Sequence, residues 1–100
     1  MAAFVISEIE TLDEELAQRY RTLASASIAE YGGRYLVRGG AVEVVEGETT
    51  SRGRVVVVEF PSMERAREWY ASPSYAQALK LSETALDRRL IIVEGVVPPT

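Results

Sequence analysis

The chain has 100 residues, of which 47% are hydrophobic, and carries 15 acidic against 11 basic side chains for a formal net charge of -4. With neither His nor Cys, it can build no disulfide, no thiol nucleophile, no Ser-His-Asp or Cys-His catalytic set and few of the usual zinc sites. The length fits a single domain over residues 1–100, and dispersed basic residues in an acidic chain argue against nucleic acid or an anionic membrane surface as partner.

The opening residues MAAFVISEIE lack the basic leader and long apolar stretch of a signal peptide. No run in the chain approaches the ~20 apolar residues of a membrane span. Together with the missing cysteines, this predicts a soluble cytoplasmic protein. Ala3 to Ile9 reads as a strand, apolar on both faces for most of its length. Thr11-Leu-Asp-Glu14 has the form of a capping box, and Asp13, Glu14 and Glu15 suit the positive start of a helix. That helix runs to about Tyr31, with Leu16, Tyr20, Leu23, Ser27 or Ile28 and Tyr31 along one stripe. Gly32-Gly33 ends it.

YGGRYLVRGG, residues 31–40, places a short strand, Arg34 to Arg38, between two Gly-Gly pairs. By the two-residue period of a strand, Arg34, Leu36 and Arg38 share a face, and two guanidiniums so placed can fork around a carboxylate or phosphate. Gly39-Gly40 suggests a bulge or bend, with Ala41 to Val45 continuing extended. Glu46 to Gly53 is a polar hairpin loop; Glu43, Glu46 and Glu48 belong to a solvated surface without metal-ligand spacing. Arg54 to Phe60 is the clearest strand. Pro61 stops it, Ser62 caps a helix from about Met63 to Ala71, and Ser72-Pro73 starts a second one. Leu90 to Val96 is the last strand, and Pro98 and Pro99 close the chain. The order β-α-β-β-α-β predicts an α+β, ferredoxin-like fold with a four-stranded antiparallel sheet and both helices on one face.

A half-exposed antiparallel strand alternates apolar and polar residues. Phe4–Ile6, Val55–Val58 and Leu90–Val93 do not alternate, so both sheet faces need cover while the helices supply it to one. A second copy of the same sheet is the simplest cover for the other, which predicts a homodimer.

YGGRYLVRGG at 31–40, VVEFPS at 57–62, the ARxWYxSPxY pattern at 66–75 and IVEGV at 92–96 together resemble the domain-of-unknown-function family 1330, over Phe4 to Val97. The resemblance implies a subunit of the dimeric α+β barrel type and no specific activity. In the wider superfamily the catalytic residues are often histidines, which this chain lacks, so no catalytic role carries over.

The residues themselves nominate several site candidates. Arg34 and Arg38 could hold a small anion, Arg34 foremost because it follows the glycine turn, or could pair with strand carboxylates. Glu59, with Glu8 and Glu94 as weaker parallels, could act as a base or be an ion-pair partner. Trp69, Tyr70 and Tyr75 could line an apolar cleft, with Tyr75 or Tyr35 polarising a carbonyl oxygen, or could be packing. Tyr20 reads as core and Ser72 as a helix cap. The glycine pairs match no phosphate-binding loop, and no metal, flavin or nucleotide is expected. The functional expectation is a cofactor-independent enzyme acting on a small carboxylated or carbonyl metabolite, or a non-catalytic small-ligand-binding or stress-response dimer.

Overall fold

Strand parity organises the architecture, because each strand of the sheet presents one set of side chains to the helices and the other set to the opposite side. The structure, a computed structural model, describes residues 1–96. It contains β1 (Ala3–Thr11), α1 (Glu14–Glu30), β2 (Arg34–Arg38), β3 (Arg54–Phe60), α2 (Met63–Tyr70), α3 (Pro73–Ala85) and β4 (Leu86–Glu94). The four strands form one sheet in the order β2-β3-β1-β4, every neighbouring pair antiparallel. This is the expected ferredoxin-like arrangement, with the second helix broken in two at Ser72. The expected closing prolines, Pro98 and Pro99, lie outside the described residues. No helix among the described residues is long and apolar enough to cross a membrane.

On β1, Ala3, Val5, Ser7 and Ile9 are buried and Phe4, Ile6, Glu8 and Glu10 half-buried. Val5 sits opposite Val58 on β3 and Ile92 on β4, so the helix-facing set continues as Arg54, Val56, Val58 and Phe60 and as Leu86, Arg88, Leu90 and Ile92. Against this face pack Ala24 and Ile28 of α1, Ala66 and Trp69 of α2, and Tyr75 and Ala78 of α3. Full burial of each large apolar side chain contributes roughly 1.5–3 kcal/mol. Ala17 and Ala24 are almost completely covered and let α1 approach closely, a role that reading the large residues of the stripe misses. The buried Ser27 hydroxyl donates to the Ala24 carbonyl (2.8 Å) and accepts from Trp69 Nε1 (3.0 Å). One small polar residue thus supplies the partner the indole needs when buried.

The opposite sheet face presents Phe4, Ile6, Val55, Val57, Ile91 and Val93, and among the described residues no helix packs over it. Its two-sided strands are as the apolar runs imply.

Four local expectations need correction. β1 continues to Thr11, and the cap of α1 is Asp13, whose side chain accepts from the Leu16 amide (3.1 Å). A threonine already held in the sheet ladder cannot also take up the cap geometry. Ala41–Val45 forms no strand; Val42, Val44 and Val45 are exposed. β4 starts four residues earlier than Leu90, at Leu86, directly after α3.

The fourth correction concerns β2. Arg34 pairs with Glu59, Tyr35 with Val58, Val37 with Val57 and Arg38 with Val56. The extra residue is Leu36, a bulge three residues before the glycine pair that was expected to carry one. It resets the parity. Arg34 and Val37 lie on the open face, Tyr35 and Arg38 on the helix face, so Arg34 and Arg38 point to opposite sides of the sheet.

Gly33 marks where α1 returns to β2. A Cβ there would stand 2.7 Å from Ile28 Cγ2 and 2.8 Å from Phe60 Cε1, and both neighbours are buried with no room to yield. Gly33→Ala is expected to cost about 1–3 kcal/mol through overpacking, lowering the thermal midpoint by several degrees. Gly40→Ala, with nothing within 4 Å of the added carbon, is expected to leave the midpoint unchanged. Thermal unfolding of the two variants by circular dichroism checks the contrast.

Candidate functional site

Strand parity also brings arginines together. On the helix-facing side, Ile9 lies between Arg54 of β3 and Arg88 of β4 in one cross-strand row. One row further in, Arg38 of β2 stands opposite Val56, itself opposite Ser7. Neighbouring strands are about 4.8 Å apart, so guanidiniums from three strands gather at one end of the sheet. The first half of α1, with Tyr20 and Arg21, covers that end.

Between α1 and the sheet at this place is a cleft of about 50 Å³. Val5, Ile9, Val56, Val58 and Leu90 form its floor, Ala24, Ile28 and Trp69 its walls, and Tyr20, Arg21, Tyr35, Arg38 and Arg54 contribute the polar lining together with Ser7 and Thr11. No described residue lining it is acidic. In a chain of net charge -4, this is a local reversal of sign. Among the described residues, Arg21 pairs with Glu14, whereas no carboxylate forms an ion pair with Arg38, Arg54 or Arg88. Arg38 instead donates to Ser25 Oγ (2.7 Å) and lies over the Tyr35 ring, 4.2 Å from its centroid. Tyr35 Oη is itself 3.1 Å from Ser25 Oγ. Arg54 folds over the β2–β3 connection, where Gly39, with φ of +72°, leaves room for it.

Beside the cleft is a compact polar cluster. Arg88 donates through Nη1 to Tyr20 Oη (2.7 Å) and through Nη2 to Tyr75 Oη (2.9 Å) and Ser82 Oγ (3.3 Å). The two phenol oxygens are 2.7 Å apart. Tyr75 is fully buried. Burial raises its pKa above the ordinary phenol value, with Tyr20 adding to the rise and Arg88 opposing it, so Tyr75 stays protonated. Burial works against the Arg88 charge as well, but Tyr20 and Tyr75 more than offset this and its pKa is raised.

The sequence candidates distribute as follows. Arg38, Tyr35 and Trp69 line the cleft. Arg34 lies across the sheet, ion-paired with Glu59 through Nε–Oε1 at 2.6 Å; both border a shallow depression with Ala2, Gly32, Phe60 and Pro61. Tyr75 packs against Trp69 with ring centroids 4.2 Å apart and the planes tilted by 42°, and its hydroxyl lies 2.7 Å from that of Tyr20. Tyr70 is part-exposed and edges against Trp69 (6.1 Å). Ser72 caps α3, accepting from the Tyr75 amide (3.1 Å) and donating to the Trp69 carbonyl (2.7 Å). Glu8 pairs with Arg89 on the open face (3.5 Å), and Glu94 is exposed at the end of β4. No group of three or more acidic residues among those described is placed to hold a metal ion.

Sequence reading missed Tyr20 as a site residue and missed Arg54 and Arg88 altogether. For Arg88 the signal was available. With β4 begun at Leu86, the two-residue period puts Arg88 on the same face as Leu86 and Leu90, a charge among core positions.

Solved structures share this architecture. A protein of unknown function from Rhodopseudomonas palustris is 19% identical, with a TM-score of 0.79 over 97% of this chain and 84% of that one. A dimeric ferredoxin-like protein of unknown function from Thermobifida fusca is 16% identical, with a TM-score of 0.63 over 94% and 91%. SnoaB, a cofactor-independent oxygenase from Streptomyces nogalater, is 10% identical, with a TM-score of 0.62 over 97% and 94%. At these identities the likeness is one of fold. No curated protein matches the chain. Residues 2–96 match the family described as domain of unknown function DUF1330, so the chain belongs to the DUF1330 family.

Proposed function

We infer that this is a homodimeric, cytoplasmic protein that binds a small carboxylated metabolite in the cleft between α1 and the sheet. The observation that carries the reading is the lining: three arginines and no acidic residue around an apolar floor, in an otherwise acidic chain. Arg38 is the anchor of choice. It has no carboxylate partner among the described residues, and stacking on Tyr35 pre-orders its planar fork, which matches a carboxylate. The small volume favours a metabolite of few atoms over a polymer such as nucleic acid.

A second reading, a cofactor-independent enzyme, draws support from the Tyr20–Tyr75–Arg88 cluster, which can stabilise charge on a substrate oxygen, and from the fold shared with a cofactor-independent oxygenase. Glu59, the carboxylate base expected from sequence, is across the sheet from the cleft, so proton abstraction by it would need a different site.

The dimer follows from the uncovered apolar face. Stable interfaces bury about 800 Å² per partner, and solved neighbours from Thermobifida fusca and Jannaschia are dimeric ferredoxin-like proteins. Val57→Asp puts a charge on the open face and is expected to yield a folded monomer by light scattering. Val56→Asp, on the helix face, is expected to unfold the protein instead. A dimeric Val57→Asp protein would place the interface elsewhere.

The cleft is tested with pentanoate followed by NMR titration. Shifts are expected at Ala24, Val56 and Leu90. Arg38→Gln should weaken binding by about tenfold or more, as befits loss of a charge-assisted bond, whereas Arg34→Gln should leave it unchanged. Loss of binding in Arg34→Gln alone would move the site to the open face.

A further inference from the structure

The two phenols of the Tyr20–Tyr75–Arg88 cluster carry one more proton than the contact between them uses. Arg88 only donates, so both phenol oxygens accept from it. The contact between Tyr20 and Tyr75 uses one phenol proton. The other must find an acceptor outside the trio. Among the described residues, Tyr75 Oη has no hydrogen-bond partner other than Tyr20 and Arg88 and is fully buried. If Tyr20 donated to Tyr75, the Tyr75 proton would be stranded in the core, which buried donors avoid. Tyr75 therefore donates to Tyr20. Tyr20 Oη accepts two hydrogen bonds, one from a cation, and its own proton is free. Tyr20 is the member of the trio that lines the cleft.

We propose that Tyr20 directs its hydroxyl proton into the cleft as a polarised donor to a ligand oxygen distinct from the carboxylate held by Arg38, so that the ligand is an oxo acid. This deepens the reading of the cleft as a carboxylate site and rests on it. Arg88 and Tyr75 are positioning residues: they draw electron density from the Tyr20 oxygen and fix its O–H direction. An acceptor oxygen bearing negative character, such as the carbonyl of an oxo acid, is what such a donor favours. A saturated acid leaves the donor facing apolar surface. Arginines supply one recognition point and Tyr20 the other, which suits a ligand with two oxygen-bearing groups on a short apolar chain.

The experiment compares 2-oxopentanoate and 4-oxopentanoate with pentanoate, three acids of similar size, by NMR titration of the full chain and of the Tyr20→Phe, Tyr75→Phe and Arg38→Gln variants, each first shown to be folded by its thermal transition. In the unmodified protein at least one oxo acid is expected to bind roughly three- to tenfold more tightly than pentanoate, the range of one net hydrogen bond. Tyr20→Phe should abolish that preference, read as the ratio of oxo-acid to pentanoate affinity within the same variant. Tyr75→Phe should reduce the preference only in part, because Tyr20 keeps its hydroxyl, and Arg38→Gln should weaken all three acids alike. An oxo preference that is absent from the unmodified protein, or that survives Tyr20→Phe, or that depends on Tyr75 more than on Tyr20, overturns the proposal while leaving the carboxylate site standing. Failure of all three acids to bind overturns both readings together.

Discussion

Everything in this molecule hangs on the register between β1 and its two neighbours. Strands have a period of two, so slipping β3 or β4 by one residue against β1 would turn its whole set of side chains over. The register holds because the two faces make different demands. Val5, Val58 and Ile92 stand in one row under Trp69 and Tyr75, and a slip would replace them with Glu59, Ile91 or Val93. The same register decides where charge goes. Arg54, which lines the cleft, and Arg88, beside it, face the helices because Val58 and Leu90 do, so the alternation that builds the core also carries charge to this face.

The bulge at Leu36 is the exception that completes the site. An unbroken β2 would carry both of its arginines on one face. The extra residue keeps Arg34 with Glu59 on the open face, in an exposed ion pair of the kind worth no more than about 1 kcal/mol, and sends Arg38 to the cleft. One irregularity separates a surface pair from a cleft-lining cation without any change in residue type.

This separation explains what could be read from the chain beforehand. The order of strands and helices along the chain, the helix breaks at Gly32-Gly33 and Ser72-Pro73, and the two-sided apolar strands are local signals written in periodicity and turn chemistry, and they were legible. The bulge was not, because Leu36 fits a regular strand as well as an irregular one and only pairing with β3 reveals the offset. Arg88 was obscured differently. Its segment, LDRRL, begins too polar to look like a strand, and its burial is tolerable only because Tyr20, Tyr75 and Ser82, remote in sequence, supply acceptor oxygens. Tyr20 looked like core for the same reason: a helix stripe shows which side faces inward but not where the interior is left open.

Gly39 shows how far such dependence extends. The residue does not line the cleft, yet a Cβ placed on it would come within 2.5 Å of Arg54 Cζ, the guanidinium that does. The empty space at this glycine is therefore taken up by a side chain that lines the cleft. Filling it would displace the arginine as well as strain a backbone at φ of +72°. The position of one cleft arginine is thus inherited from the connection between two strands, and a change in this connection is felt in the cleft lining.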